Sequence, residues 1–135
     1  MNRILLITHD HVGEALLAIA KHTLAGVLPC PVDAVNIHQN SADAEFVRDR
    51  LLDCLSHYEE SLLILTDLLG ATPCNIAKQI GVHRENTRLI TGLNLPMLLR
   101  ALNYADESLD VVAEKAYLGG RDGVSLCTPC EDKKT

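Results

Sequence analysis

The fold is decided by the stretch Ile4–Gly13, which reads ILLITHDHVG. Its first four residues are all apolar, and a run without polar alternation is typical of a strand that is buried on both faces of a parallel sheet. The run stops at Thr8 and His9, and a helical pattern of apolar residues follows. His9 is therefore predicted to lie at the carboxyl end of a buried strand, which is the edge where open α/β sheets bind their ligands.

A second apolar run, Ser61–Thr66, ends in the same way at Asp67 and is followed by Gly70–Pro73 and another helix. If the two strands are neighbours, His9 and Asp67 meet at one edge of the sheet. The helices that follow both strands begin at this edge, and their unpaired N–H groups and positive dipole ends favour anions. The pattern predicts a site for an anion such as phosphate.

Strand-like and helix-like segments alternate along the whole chain. The third helix has the clearest boundaries, with Thr72 as its N-cap, Pro73 at its first position and Gly81 just past its end. Single helices between strands require right-handed crossovers and a parallel sheet that is covered on both faces. The predicted fold class is a small doubly wound α/β fold with a mainly parallel sheet, formed by residues 1–126 as a single domain.

The end of the chain is predicted to contain a short strand and a tail. Gly119–Gly120 is expected to close the fifth helix, and Val124–Leu126 is a candidate for the last strand. Residues 127–135 are expected to be a disordered tail. Cys127 and Cys130 have CxxC spacing, but no second ligand pair for zinc and no helix start of a redox motif accompany them. We interpret them as two free thiols.

Composition limits the function classes. A chain of 135 residues with 47% hydrophobic and 3% aromatic content can form one domain with an aliphatic core. Its net charge of −6 argues against binding to nucleic acid or to an anionic membrane surface, because both require a basic face. No apolar run approaches the roughly 20 residues of a membrane span. An odd number of scattered cysteines and the lack of a signal pattern favour a cytoplasmic protein without membrane insertion.

Several common signatures of phosphate and nucleophile chemistry are absent. The chain has no GxxxxGK[ST] loop, no GxGxxG after its first strand and no GxSxG elbow. The first strand ends in Thr8 and His9 instead of the acidic cluster of a phosphoaspartate receiver. Cys74 lacks the nearby arginine of a thiol phosphatase loop. A histidine nucleophile remains as the candidate.

Four motifs occur in order along the chain. They are Thr8–His9, Thr66–Asp67 with Gly70–Pro73 and Asn75, Gly92–Leu98, and Gly120–Val124. Together they resemble enzyme IIA of the mannose family of the bacterial sugar phosphotransferase system (PTS), over nearly the whole chain to about Leu126. The resemblance implies that His9 accepts a phosphoryl group from the phosphocarrier HPr and passes it to a IIB protein. It also implies a homodimer in which the last strand adds to the partner's sheet.

The role that the resemblance implies for His9 is physically consistent with its neighbours. His9 must be neutral to attack, and a carboxylate that accepts from one ring nitrogen selects the tautomer and stabilises the cation that develops. Asp67 is the candidate for that orienting group. The phosphoryl oxygens are expected to bind to the turn formed by Gly70, Ala71 and Thr72, without a metal. No cofactor is required, because phosphoryl transfer depends mostly on positioning and charge stabilisation.

Two positions depart from the family pattern. Many members have a glycine directly after the histidine and a tryptophan in the loop before Gly70, whereas this chain has Asp10 and Leu69. An extra carboxylate beside a phosphorylated imidazole would repel the phosphoryl group or change its lability.

Two other functions stay open on the sequence. His9, Asp10 and His11 have the HxH spacing of metal-dependent hydrolases, and Asp67 would add a ligand for a divalent ion. The chain is far shorter than the roughly 250-residue barrel that usually carries that motif. The second alternative is a regulatory module in which phosphorylation of His9 controls partner binding. The remaining histidines are interpreted as surface or packing residues: His11, His22, His38, His57 and His83.

Overall fold

The structure is a computed structural model of the chain, and it describes residues 1–38 and 41–129, without the side chain of Ser41. These residues form four strands and five helices: β1 (Asn2–His9), α1 (Val12–Thr23), β2 (Val32–Ile37), α2 (Ser41–Leu55), β3 (Ser61–Thr66), α3 (Thr72–His83), β4 (Thr87–Thr91), α4 (Leu95–Asn103) and α5 (Leu109–Asp122). The strand order is β2-β1-β3-β4, and every neighbouring pair is parallel. The predicted doubly wound α/β fold is therefore confirmed.

Strand β1 is central, and its side chains are buried on both faces of the sheet. Ile4 and Leu6 belong to one apolar cluster, whereas Leu5 and Ile7 belong to the other. Burying a side chain of this size contributes roughly 1.5–3 kcal/mol. The continuous apolar run at the start of the sequence thus holds both layers of helices on the sheet.

The two faces of the sheet are covered unequally. On one face, helices α1, α4 and α5 pack against the cluster that contains Ile4 and Leu6. Their buried residues in this cluster are Ala20, Met97, Leu98, Ala101, Leu102, Val112 and Ala116. Of the helices in the described residues, only α2 and α3 contribute to the other cluster, which contains Leu5 and Ile7, through Ala44, Leu55, Ile76, Ala77 and Ile80. His9 lies on the two-helix face, because alternate residues of β1 point to opposite sides and Leu5 and Ile7 are on that face.

The boundaries predicted for α3 are wrong at both ends. Thr72 is its first residue, and Ala71 occupies the N-cap position in an extended conformation without a side-chain cap bond. The helix also continues through Gly81 to His83. Beyond it, the Arg84 guanidinium donates to the backbone oxygens of Tyr58 and Glu60, at 2.6 and 2.8 Å. This anchor fixes the chain after His83, so the glycine is not needed to end the helix.

The prediction that Gly119–Gly120 closes α5 is also wrong. Both glycines lie inside the helix, which continues to Asp122. A Cβ atom at Gly119 would lie 2.7 Å from the Cβ of Arg100, and one at Gly120 would lie 2.7 Å from the Cε of Met97. The two glycines therefore permit close packing of α5 on α4.

The predicted last strand, Val124–Leu126, does not form a strand within this chain. Both Val124 and Leu126 are exposed, at 78% and 99%. Residues 130–135 of the expected tail, including Cys130, lie outside the described residues. Among residues 1–38 and 41–129, no helix combines the length and the apolar character that a membrane crossing requires.

Candidate active site

His9 and Asp67 meet at the carboxyl edge of the sheet. Their strands are neighbours, with Ile7 opposite Thr66, so Asp67 follows β3 beside the end of β1. Asp67 Oδ2 lies 2.9 Å from His9 Nδ1 and accepts the backbone N–H of His9 at 3.1 Å. Because an ionised carboxylate only accepts hydrogen bonds, Nδ1 carries the ring proton and Nε2 presents a lone pair.

The environments of the two side chains differ. The side chain of His9 is 37% exposed, whereas that of Asp67 is 14% exposed. The ring is therefore accessible from solvent while the carboxylate that holds it is largely covered. Such an arrangement suits a nucleophile that must reach a ligand and an orienting group that must stay in place.

An open cleft of about 540 Å³ lies beside His9, between α2 and α3. The carboxyl end of β2 and one face of each helix line it, through Ile37, His38, Ala44, Glu45, Arg48, Thr72, Asn75, Ile76 and Gln79. With Nδ1 engaged by Asp67, Nε2 is the ring atom of His9 that is available to a ligand in this cleft. Among the described residues that line the cleft, Arg48 is the one arginine or lysine.

The three residues predicted to bind a phosphoryl group have different positions. Thr72 lines the cleft together with His9, but Gly70 and Ala71 are not among the lining residues. Gly70 has a φ of +82°, so it forms the turn that starts α3. The Ala71 N–H donates to the backbone oxygen of Leu68 at 3.4 Å. Thr72 is therefore the member of this group that lines the same cleft as His9.

Asp10 turns away from Asp67 and towards β2. It has a left-handed φ of 41°, a conformation that glycine adopts without cost and that aspartate tolerates better than most residues. Its backbone N–H donates to the Ile37 oxygen at 3.0 Å, and its Oδ1 lies 2.9 Å from His38 Nδ1. His38 is exposed, as its interpretation as a surface residue predicts, but it also pairs with Asp10 and lines the cleft, which that interpretation did not include.

His11 has its own partners on the side of the site away from Asp67. Its Nδ1 lies 3.0 Å from Glu14 Oε2, which also accepts from the Asn36 side-chain amide at 2.8 Å. These hydrogen bonds lower the pKa of Glu14, with that from His11 as the larger cause. In the described part of the chain, no three His, Cys, Asp or Glu residues are placed to hold a metal ion together. The HxH metal site therefore does not fit this geometry.

Arg48 and His38 are cleft residues that the sequence did not identify. Arg48 follows Val47, which packs against the core. The sequence pattern therefore predicts that Arg48 is an ordinary solvent-facing residue of an amphipathic helix. Its place beside the cleft depends on how α2 lies against α3. No local sequence pattern encodes that packing.

The family assignment follows from comparison with known proteins. The sequence profile of the EIIA-man family, described as the PTS system fructose IIA component, matches residues 3–117. The mannose-specific EIIAB component of the PTS from Escherichia coli K12 is 37% identical over 67 residues. That match covers 48% of this chain and 21% of the relative, so the matched segment spans about a fifth of the relative's length.

Solved structures show the same fold. The mannose/sorbose-specific IIA subunit from Enterococcus faecalis superposes with a TM-score of 0.81 at 26% identity, covering 94% of each chain. The EIIA component from Streptococcus agalactiae gives a TM-score of 0.78 at 26% identity, covering 93% of this chain and 97% of that one.

Proposed function

Because this chain belongs to the IIA family of the mannose type in the sugar phosphotransferase system, we propose that His9 carries a phosphoryl group between two proteins. It accepts the group from HPr and passes it to a IIB protein. The observation that carries the proposal is the 2.9 Å contact between Asp67 Oδ2 and His9 Nδ1. That contact leaves Nε2 as the nucleophile in a cleft that an incoming phosphoryl group can enter.

The transfer step exchanges one bond to phosphorus for another. The Nε2 lone pair forms a bond to phosphorus while the bond to the donor atom breaks, and that electron pair returns to the donor. The His9 ring then carries a positive charge, which the Asp67 carboxylate stabilises across the Nδ1 proton. Transfer to IIB repeats these steps with His9 as the donor. The protein is regenerated with its ring neutral.

The cleft offers two kinds of groups to the phosphoryl oxygens. Thr72 and the backbone N–H groups at the start of α3 lie at a positive helix end. Arg48 supplies a guanidinium, whose planar set of donors matches the geometry of phosphate. In this proposal the transfer needs no metal, because these groups and Asp67 stabilise the charges that develop.

The wild-type protein tests the proposal directly. Mixed with phosphoenolpyruvate, enzyme I and HPr, it is expected to gain the mass of one phosphoryl group, with a chelator present. The bond to nitrogen should be labile in acid and stable in alkali. Intact-mass spectrometry measures the gain, and omission of HPr should prevent it. A protein that gains nothing while a known acceptor in the same mixture is phosphorylated contradicts the proposal. The regulatory alternative uses the same phosphorylated histidine and stays a prediction.

Replacing Arg48 with glutamine should slow phosphorylation by about tenfold, the loss expected for one charge-assisted contact to a phosphoryl oxygen. The side chain of Arg48 is 32% exposed, and its ion pair is with the adjacent Asp49. Arg50→Gln is the matched control, because it removes the same charge from the same helix while Arg50 lies over the Phe46 ring. Rates with phosphorylated HPr compare the two variants. Equal rates for both contradict a role for Arg48.

The open edge at β4 supports the homodimer as part of the proposal. Within the described residues, β4 pairs only with β3, and Val124–Leu126 is exposed beyond α5. An unpaired strand edge readily accepts another strand. Truncation after Gly123 is expected to yield monomers or aggregates by light scattering. Truncation after Pro129, which keeps this segment, should leave the dimer intact. A dimer that survives the shorter truncation contradicts strand exchange.

A further inference from the structure

Asp10 creates an electrostatic problem for a phosphohistidine. It follows His9 directly, and consecutive Cα atoms are only about 3.8 Å apart. Its carboxylate is in contact with His38, which lines the same cleft as the ring that would carry the phosphoryl group. Like charges at the edge of one cleft repel, even across water. A free Asp10 side chain would raise the energy of the phosphorylated form.

The end of β2 holds Asp10 in one place by two hydrogen bonds. Its backbone N–H donates to the Ile37 oxygen at 3.0 Å, and its Oδ1 lies 2.9 Å from His38 Nδ1. Both partners belong to the β2 side of β1, whereas Asp67 approaches His9 from the β3 side. One carboxylate is thus in contact with the ring, and the other is bonded on the opposite side.

We propose that His38 is a positioning residue that keeps the Asp10 carboxylate away from the phosphoryl group on His9. The inference rests on the proposed function of His9. The ring of His38 lies edge-on to the ring of His11, with 5.8 Å between the ring centroids, and it shares the cleft with Glu45 and Arg48. His11 has a different carboxylate partner, since its Nδ1 lies 3.0 Å from Glu14 Oε2.

The contact between Asp10 and His38 fixes the position of a negative charge, and it adds little to the free energy of unfolding. The side chains of Asp10 and His38 are 63% and 52% exposed, and exposed pairs of this kind contribute little. Variants of either residue are therefore expected to keep the wild-type Tm. A change in phosphorylation rate then reports on the charge near His9.

A double-mutant cycle tests this role. His38→Ala should slow phosphorylation by HPr by roughly three- to tenfold, the effect of one charge moved by a few ångströms in a wet cleft. Asp10→Asn, which removes the charge and tolerates the left-handed turn, should be no slower than wild type. In the Asp10→Asn background, His38→Ala should have no further effect. His57→Ala, at the opposite end of the sheet, should match wild type.

The outcomes separate this inference from the proposed function. Two results would overturn the positioning role while His9 remains the acceptor. The first is a phosphorylation rate that His38→Ala leaves unchanged. The second is a rate that His38→Ala lowers by the same factor in the wild-type and the Asp10→Asn backgrounds. A wild-type protein that gains no phosphoryl group overturns the proposed function itself. If His38→Ala lowers the Tm, His38→Gln replaces it in the cycle. Its amide can still donate to Asp10, so a wild-type rate supports the inference and a slow one contradicts it.

Discussion

The His9→Ala variant is expected to gain no phosphoryl group under conditions in which the wild-type protein is fully phosphorylated. Alanine has no lone pair to attack phosphorus, and no other described histidine contacts Asp67. Intact-mass spectrometry after incubation with phosphoenolpyruvate, enzyme I and HPr measures the loss. The fold should survive, since His9 lies at a strand end with a partly exposed side chain and its removal leaves no cavity in the core.

His11→Ala is the matched control for that experiment. His11 is two residues away, but its Nδ1 is bonded to Glu14 and its side chain is 70% exposed. This variant should be phosphorylated to the same extent as the wild type. Phosphorylation that persists in His9→Ala, or disappears in His11→Ala, would place the acceptor elsewhere.

The Asp67→Ala variant should transfer the phosphoryl group about a hundredfold more slowly than the wild type. Without the carboxylate, the proton of the His9 ring is free to move to Nε2, and the positive charge that forms on transfer loses its partner. Single-turnover rates with phosphorylated HPr measure the effect. Asp110→Ala is a suitable control, because Asp110 is an exposed carboxylate whose contact is with Arg88 on another part of the surface.

The Asp67→Asn variant separates orientation from charge. An asparagine amide can donate to Nδ1, which leaves the proton on Nε2 and blocks the nucleophile. We therefore expect asparagine to be at least as slow as alanine, although it fills the same space. Wild-type rates in both variants would show that Asp67 does not orient His9.

The contact between His9 and Asp67 follows from patterns within two short segments of the sequence. Two long apolar runs predict buried strands, parallel strands place their carboxyl ends at one edge, and each run ends at one of these residues. No detail of side-chain packing is needed to bring the two residues together. This is why both the fold class and this pair were accessible from the sequence.

The features that were missed depend on contacts between distant segments. Two consecutive glycines are a common signal for a helix end, but Gly119 and Gly120 lie where α5 packs closely against Arg100 and Met97 of α4. Likewise, Arg84 fixes the chain after α3, so Gly81 is not a terminator. The cleft residue Arg48 belongs to the same class, since its position requires the packing of α2 against α3.

The unequal covering of the sheet determines what can approach His9. Three helices cover one face and two cover the other, and the cleft lies between those two. A donor that is itself a folded protein must bring its own reactive atom within bonding distance of Nε2, and a closed pocket would prevent this. Water reaches the same atom by the same route. We therefore expect the lifetime of the phosphorylated protein in plain buffer to depend on the charges and hydrogen bonds around the group, since burial does not protect it.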